Sequence, residues 1–315
     1  MKSDSQEESG PSSGQKILAH SGYVAVVGKP NVGKSTLMNR ILGEKIAIVS
    51  PKPQTTRLRQ LGIYTKDGVQ AIFVDTPGIH QPRHKLGEFM LAVARDALRD
   101  ADVVVFVVDL SEAPDSEDRR VADLLAEART GAPVILALNK IDRLSPDRLA
   151  SAVELYRALS PEADWVALSA TQGRGVDDLL SRVVEELPAG PQFYPEDQLS
   201  DTALRDITAE IIREKVLLNT EQEIPHAVAV EVEEFKERSD TLTYVGATIY
   251  VERDSQKGIL IGKGGAMLKR ISSQARVDIE TLVGTKVYLE LWVKVLKDWR
   301  RDEAMLRRFG YRLSR

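Results

Sequence analysis

The sequence predicts an α/β domain with a mostly parallel, doubly wound sheet, followed by a smaller α+β domain. Across residues 21–189, short β-branched apolar runs alternate with helical stretches, as strands buried on both faces of a parallel sheet require. Beyond residue 200 the pattern changes: apolar Val228, Val230 and Val232 alternate with Ala229 and Glu231, which predicts strands with one solvated face. Charge divides the chain too. Residues 253–315 carry 15 Lys or Arg against 7 Asp or Glu, a net of +8, whereas the remainder carries 28 against 40, a net of −12. A basic end on an acidic body suits a polyanion-binding module.

Taken in order, residues 1–20 read as a disordered tail, because Met1–Gln15 is rich in Ser, Glu and Gly and has no apolar run. Strands are expected at Tyr23–Val27, Ala71–Val74, Val103–Val108, Val134–Leu138 and Trp165–Leu168. Helices are expected at Ser35–Leu42, Lys85–Leu98, Glu117–Ala128, Leu149–Leu159 and Val176–Leu187. Pro188-Ala189-Gly190-Pro191 opens a linker over residues 190–200. The second domain, 201–315, begins with a helix from Thr202 to Leu218. Strands Ala227–Phe235 and Thr243–Val251 follow, separated by the Ser239-Asp240 turn. Next come the apolar segment Ile259–Gly265, a helix to Leu282, the strand Lys286–Val293 and a last helix with Trp299 and Leu306. Ile207, Ile211, Leu217, Trp299 and Leu306 read as core residues rather than membrane contacts.

Composition narrows the chemistry. At 315 residues, 43% hydrophobic and 29% charged, the chain suits two ordinary globular domains. It has no cysteine, which excludes disulfides, thiolate metal sites and cysteine nucleophiles. No apolar run is long enough to span a bilayer, and the N-terminus lacks the hydrophobic segment of a secretory signal. A cytosolic protein is expected.

Three motifs carry the chemistry. Gly28-Lys29-Pro30-Asn31-Val32-Gly33-Lys34-Ser35 fits G-x-x-x-x-G-K-[ST] directly between a strand and a helix. Such a loop turns backbone N–H groups toward phosphates at a helix N-terminus. Lys34 adds a point charge for the β and γ oxygens, and the Ser35 hydroxyl is a ligand for Mg²⁺. Asp75-Thr76-Pro77-Gly78 ends the next strand. An aspartate there holds a metal-bound water, and the glycine frees an N–H for a γ-phosphate. Asn139-Lys140-Ile141-Asp142 follows a further strand. Two acceptor oxygens on Asp142 match the two N–H groups of the guanine edge and repel adenine. The Lys140 stem can lie over the base, and Ser169-Ala170 can offer a backbone N–H to the guanine carbonyl. The bland reading of Asn139 and Asp142 is helix capping.

The motif order resembles the translation-factor class of GTPases, and Pro53-Gln54-Thr55-Thr56-Arg57 is similar to the effector loop of the Era family of bacterial ribosome-assembly GTPases. The resemblance implies a switch threonine reaching Mg²⁺ and the γ-phosphate; Thr55 and Thr56 both qualify, with Thr56 favoured. Gly262-Lys263-Gly264-Gly265 precedes a helix carrying Lys269 and Arg270. A glycine loop admits a nucleic-acid backbone, while Lys263, Lys269 and Arg270 neutralise phosphates. With the helix–strand–strand–helix–strand order, this resembles a type II KH domain. Ala209–Lys215, Leu289–Val295 and Phe309-Gly310-Tyr311 are also similar to the Era family, so the resemblance covers residues 20–315. It implies GTP hydrolysis with Mg²⁺, binding of small-subunit ribosomal RNA near its 3′ end, maturation of the small ribosomal subunit, a monomer, and peripheral association with the inner membrane. Ile79 stands where Ras-like enzymes place a water-orienting glutamine. Related GTPases with such a replacement carry an asparagine at the Asn31 position, which implies a K⁺ ion there.

Other readings remain. A P-loop kinase or ATPase shares residues 28–35 but does not need Asn139, Lys140 and Asp142. A nucleotide-gated RNA-binding module would have negligible turnover. A GTPase acting on transfer RNA would share the first domain and lack the second.

Overall fold

The computed structural model describes residues 17–52, 54–82, 84–128 and 131–311. Its first half comprises β1 (Ile17–Leu18), β2 (His20–Val27), α1 (Lys34–Leu42), β3 (Gln60–Lys66), β4 (Val69–Asp75), α2 (Lys85–Arg99), β5 (Val103–Asp109), α3 (Ser116–Ala128), β6 (Val134–Asn139), α4 (Pro146–Arg157), β7 (Asp164–Ala167), α5 (Val176–Glu186) and β8 (Gly190–Pro191). Six strands form one sheet in the order β3-β4-β2-β5-β6-β7. All its pairs are parallel except β3–β4. Every residue of β5, Val-Val-Val-Phe-Val-Val-Asp, is buried, because helices cover both faces of the sheet. One core cluster joins Val24, Val26, Leu37 and Val105 with Leu179; the other joins Ala25, Val27, Phe106 and Ala94 with Tyr156.

β3 is the strand of this six-stranded sheet that the sequence reading missed. It is an edge strand paired antiparallel to β4, and its sequence Gln-Leu-Gly-Ile-Tyr-Thr-Lys has neither the unbroken apolar run nor clean alternation that marks a strand. The last strand, β7, covers Asp164–Ala167 rather than Trp165–Leu168.

The second half comprises α6 (Leu204–Asn219), α7 (Ile224–Ala227), β9 (Ala229–Ser239), β10 (Leu242–Val251), α8 (Asp254–Ile261), α9 (Ala266–Val283), β11 (Lys286–Val295) and α10 (Glu303–Arg308). Its sheet has the order β11-β10-β9, with β10 antiparallel to β9 and parallel to β11. The parallel pair is reached through α8 and α9. The apolar segment expected from Ile259 to Gly265 is divided: Ile259–Ile261 close helix α8, which Gln256 starts by accepting from the Glu252 and Arg253 amides. The expected last helix is two pieces, a single turn Trp299–Arg301 and α10, whose N-cap Asp302 accepts from the amides of Ala304 and Met305.

The expected solvated face of this sheet is only partly open. Val230 and Val232 lie on the side of α6 and α9, with Val245, Ala247 and Ile249. On the opposite face, Ala229 and Tyr250 are buried by Trp299, Leu306 and Tyr311 together with Leu86, Phe89, Met90 and Val93 of α2. The two halves thus share an apolar cluster, in which Phe89 meets Tyr311 edge-on with centroids 5.6 Å apart.

The expected linker is attached along its length. β8 pairs with β1. Gln70 accepts from the amides of Phe193 and Tyr194, Ile63 donates to the Leu199 carbonyl, and Ser200 donates to the Leu61 carbonyl. Of the expected tail, residues 17 and 18 form β1 and His20 starts β2; residues 1–16 lie outside the described residues, as do Pro53 and residues 312–315. Among the described residues, no helix is long and apolar enough to cross a membrane.

Candidate functional site

The C-terminal ends of β2, β4 and β6 deliver three loops to one edge of the large sheet, where ligands of doubly wound folds bind. The loop after β2 needs Gly33, which has φ +103° and whose added Cβ would lie 2.4 Å from Asn139 Nδ2. It leads straight into α1. A cavity of about 390 Å³ forms there, lined among others by Asn31, Lys34, Ser35, Thr56, Gly78 and Asp142. Ala170 and Thr171 complete the far side.

Lys34 Nζ donates to the Gly28 and Lys29 carbonyls at 3.2 and 3.0 Å, inside the loop's curve. Burial pushes its pKa down to about 8, against the attraction of Asp75. Asp75 is itself fully buried, and burial pushes its pKa up, opposed by Lys34, Ser35 and Thr56. Ser35 Oγ donates to Asp75 Oδ2 at 2.6 Å, and Thr56 Oγ1 lies 3.0 Å from Ser35 Oγ and 3.1 Å from Asp75 Oδ2. Asp75 Oδ1 is buried with no hydrogen-bond partner. Three hard oxygen donors beside a phosphate loop, one with an orphaned oxygen, fit Mg²⁺. Of the two switch threonines, Thr56 faces this cluster, while Thr55 Oγ1 turns back to the Lys52 carbonyl at 2.6 Å. Thr76 and Pro77 are buried structural residues, with Thr76 Oγ1 donating to the Val26 carbonyl.

Several residues chosen from the sequence act differently from the reading. Lys29 contributes backbone to the loop, but its ammonium leaves the cavity and pairs with Asp118 at 2.8 Å and Asp115 at 2.9 Å. Val32 is fully buried in the core, and Pro30 packs over Gly78. Asn139 is 2% exposed and braces the loops: Nδ2 donates to the Val32 carbonyl, and Oδ1 accepts from the Lys140 and Ala170 amides. The Ala170 amide is thereby committed, as is that of Ser169 to the Arg174 carbonyl. Ala170 still lines the cavity. Lys140 sits at φ +69°, and its ammonium reaches Asp109 at 2.5 Å and the Asn31 carbonyl at 2.7 Å. Its stem is thus drawn across the cavity between two loops. Asp142 is exposed at the rim.

The loop carrying Gln54–Arg57 is held from the second half of the molecule. Arg57 is 1% exposed and reaches away from the cavity, donating to the carbonyls of Val228 at 2.6 Å, Pro225 at 3.0 Å and His226 at 3.2 Å. Arg213 of α6, equally buried, donates to the Gln54 and Thr55 carbonyls. Glu214 accepts from the Val49 amide at 2.9 Å and pairs with Lys45 at 2.7 Å. Arg213 and Glu214 were noticed in the sequence only within the family-like run Ala209–Lys215. Alternating charges on an ordinary helix gave no local signal that they reach a loop 158 or 165 residues away.

The second candidate site lies far from this cavity in sequence. Gly262 has φ +72°, and a Cβ there would lie 2.8 Å from Met267 Cβ, so only glycine lets α8 turn into α9. A short 3₁₀ turn, Lys263–Gly265, follows. Gly264 has open space around it, and Lys263, Lys269 and Arg270 are exposed. Ile259, which precedes this loop on α8, is 52% exposed and was not singled out in the sequence. It is an apolar surface beside basic groups, suited to base contact.

A phosphate loop feeding α1, with oxygen donors for a metal beside it and a carboxylate at the cavity rim, is the arrangement of P-loop GTPases, here joined to an α+β domain of KH type. A family model described as "50S ribosome-binding GTPase" matches residues 23–140, and one described as "KH domain" matches residues 223–300. GTPase Era of Geobacter metallireducens is 52% identical over 292 residues, 92% of this chain and 97% of that protein. The chain therefore belongs to the Era family of GTPases. Two solved Era structures superpose closely. One, in complex with MgGDPNP and nucleotides 1506–1542 of 16S ribosomal RNA, gives a TM-score of 0.90 at 40% identity, covering 93% of this chain and 99% of that one. The other, a variant of Aquifex aeolicus Era bound to GDP·AlF4⁻, gives 0.89 at 40% identity, covering 93% and 100%.

Proposed function

We propose that this chain is a cytoplasmic, monomeric GTP-hydrolysing switch. It binds small-subunit ribosomal RNA near its 3′ end and assists maturation of the small ribosomal subunit. One observation carries the coupling of nucleotide to RNA: the loop that brings Thr56 to Ser35 and Asp75 also buries Arg57 in the second domain.

The residues divide the work. Backbone N–H groups of the 28–35 loop, in which Pro30 has none to give, and the Lys34 ammonium hold the β and γ phosphates, and Asp142 selects guanine. Ser35 and Thr56, with Asp75 through water, hold Mg²⁺, which neutralises phosphate charge when bound. Thr56 can keep this position only while the 46–57 loop stays in, and Arg213, Glu214 and Arg57 transmit that state to the RNA-binding half. Lys263, Lys269 and Arg270, around Gly262, Gly264 and Gly265, hold the RNA backbone. Asn31 Nδ2 donates to the Pro51 carbonyl at 2.9 Å, which leaves its oxygen as the ligand offered to K⁺. Peripheral association with the inner membrane rests on the family resemblance.

The test uses the full chain, a labelled RNA of the small-subunit 3′ end, and GDPNP, GDP or an ATP analogue. RNA affinity should be higher with GDPNP than with GDP and unaffected by the ATP analogue. Replacing Lys263 and Gly264 with Asp should weaken RNA binding and flatten its salt dependence by a log–log slope of about 0.7 per lost phosphate contact. GTP hydrolysis compared in potassium and sodium chloride, with and without Asn31→Ala, reads the cation. RNA binding untouched by the double substitution, or ATP competing equally with GTP, would remove this reading.

A further inference from the structure

Hydrolysis of GTP needs a group that aims the attacking water, and switch II does not provide it at the usual place. Ile79, directly after Gly78, is 1% exposed and packs in the sheet core with Ile72, Val74 and Leu98. Its position is structural, not only apolar. The polar side chain on this side of the cavity comes from the other switch. Gln54 lines the nucleotide cavity with Thr56, Gly78 and Lys34. It also lines the adjoining cleft that contains His80.

The orientation of the Gln54 amide is fixed by its neighbour. His80 Nδ1 lies 3.0 Å from the Gly78 carbonyl, and His80 Nε2 lies 3.1 Å from Gln54 Nε2. The Gly78 carbonyl can only accept, so Nδ1 donates to it, and in the tautomer with its proton on Nδ1 the Nε2 atom is an acceptor. An acceptor must face the amide NH₂ and not the amide oxygen. Gln54 Oε1 is therefore turned the other way; it is buried and accepts no hydrogen bond from the protein. The backbone at Gln54 is left-handed, with φ +60°, a conformation glutamine adopts at a cost and glycine does not. Strained residues retained at a site are a sign of function. Arg213 holds the same residue from behind through its carbonyl.

We propose that Gln54 is a catalytic residue for GTP hydrolysis, its Oε1 accepting a hydrogen bond from the attacking water, and that His80 is the positioning residue that sets its amide. The water oxygen bonds to the γ-phosphorus as the bond from that phosphorus to the β–γ bridging oxygen breaks. One water proton passes to a γ-phosphate oxygen and the other stays on the new P–OH. Gln54 itself gains and loses nothing. The switch I loop thus delivers Thr56 to the metal and Gln54 to the water in one movement, so hydrolysis requires the loop to be held in.

This inference rests on the GTPase reading, and the experiment separates the two. Single-turnover GTP hydrolysis is measured on the full chain in potassium chloride, alongside affinities for GDP, GDPNP and GDP–aluminium fluoride. Gln54→Gly is the informative variant, because it removes the amide while relaxing the backbone. Its hydrolysis should fall about 10²-fold, the loss expected when a reactant is no longer aimed. GDP and GDPNP affinities should hold within twofold, and GDP–aluminium fluoride affinity should drop. His80→Ala should lower the rate with GTP affinity unchanged, and adding it to Gln54→Gly should cost nothing more, since His80 acts through Gln54. If Gln54→Gly hydrolyses within twofold of the parent, or loses GDPNP affinity in step with rate, the assignment is wrong. A parent chain that binds GTP without hydrolysing it would overturn the GTPase reading, and this inference with it.

Discussion

Lys34 shows how much a single buried charge decides. Its ammonium has only carbonyls for partners in the protein, at 3.0 and 3.2 Å, and burial depresses its pKa to about 8. A lysine whose pKa is lowered in the folded protein is neutral there above that value. Phosphate brought against it restores the proton. Binding of GDP should therefore take up a proton as pH rises through 8, and affinity should be nearly full at pH 7 and fall by about tenfold from pH 7 to 9. Fluorescence titration between pH 7 and 9, with calorimetry in two buffers of different ionisation heat, reads both effects. A flat affinity with no proton uptake would contradict the buried geometry. Lys29, five residues earlier in the same loop, has the same charge and the opposite fate. It is satisfied by Asp115 and Asp118, and that difference is invisible in the motif.

At the scale of elements, the 46–57 loop is where the two halves meet. Its inward side carries Thr56 and Gln54, and its outward side is gripped by α6 through Arg213 and Glu214 and by the α7–β9 segment through Arg57. The Arg57 guanidinium also lies 5.8 Å from the centre of the Trp299 ring. Burial lowers the Arg57 pKa, yet the group stays charged, and hydrogen bonds from a charged donor contribute about 1.5–3 kcal/mol each. Arg57→Ala should leave GTP affinity within a few-fold of the parent. The ratio of RNA affinities with GDPNP and GDP should collapse toward one, because the loop no longer reports its state to the second domain. Binding isotherms of the full chain in the two nucleotides measure this ratio. An undiminished ratio would show that the signal travels through another contact.

Across the whole molecule, α2 serves both halves. Its N-terminal face, with Leu86, Phe89, Met90 and Val93, packs on Tyr250, Trp299, Leu306 and Tyr311. This is the helix that follows Asp75-Thr76-Pro77-Gly78, so both switch segments bear on the second domain. Phe89→Asp should put a charge into this contact, at a cost of several kcal/mol, and let the halves separate while each keeps its own core. Small-angle scattering should then show a larger radius of gyration, with far-ultraviolet circular dichroism unchanged. An unaltered radius would mean that the attached 190–200 segment and the Arg57 clamp suffice to hold the arrangement.

The sequence by itself determined what is local. Unbroken apolar runs such as Val103–Val108 marked buried strands, a glycine loop between a strand and a helix pointed to a phosphate site, and a glycine loop ahead of a basic helix pointed to a nucleic-acid site. Those signals lie within a few residues and follow from sterics and periodicity. The edge strand β3 escaped because its mixed residues, buried from Gln60 to Ile63 and opening to solvent at Lys66, carry no period. The segment at Ile259 escaped because a short apolar run fits helix and strand alike. Only the tertiary structure decided which way each site residue faces: Lys29 out to Asp118, Asn139 into the bracing of three loops, Thr56 rather than Thr55 to Asp75. The same holds for Arg57, which looked like part of a nucleotide loop and is buried against carbonyls 168–171 residues further along. Its partners are backbone oxygens, which every residue has, so no pattern of side chains could announce them.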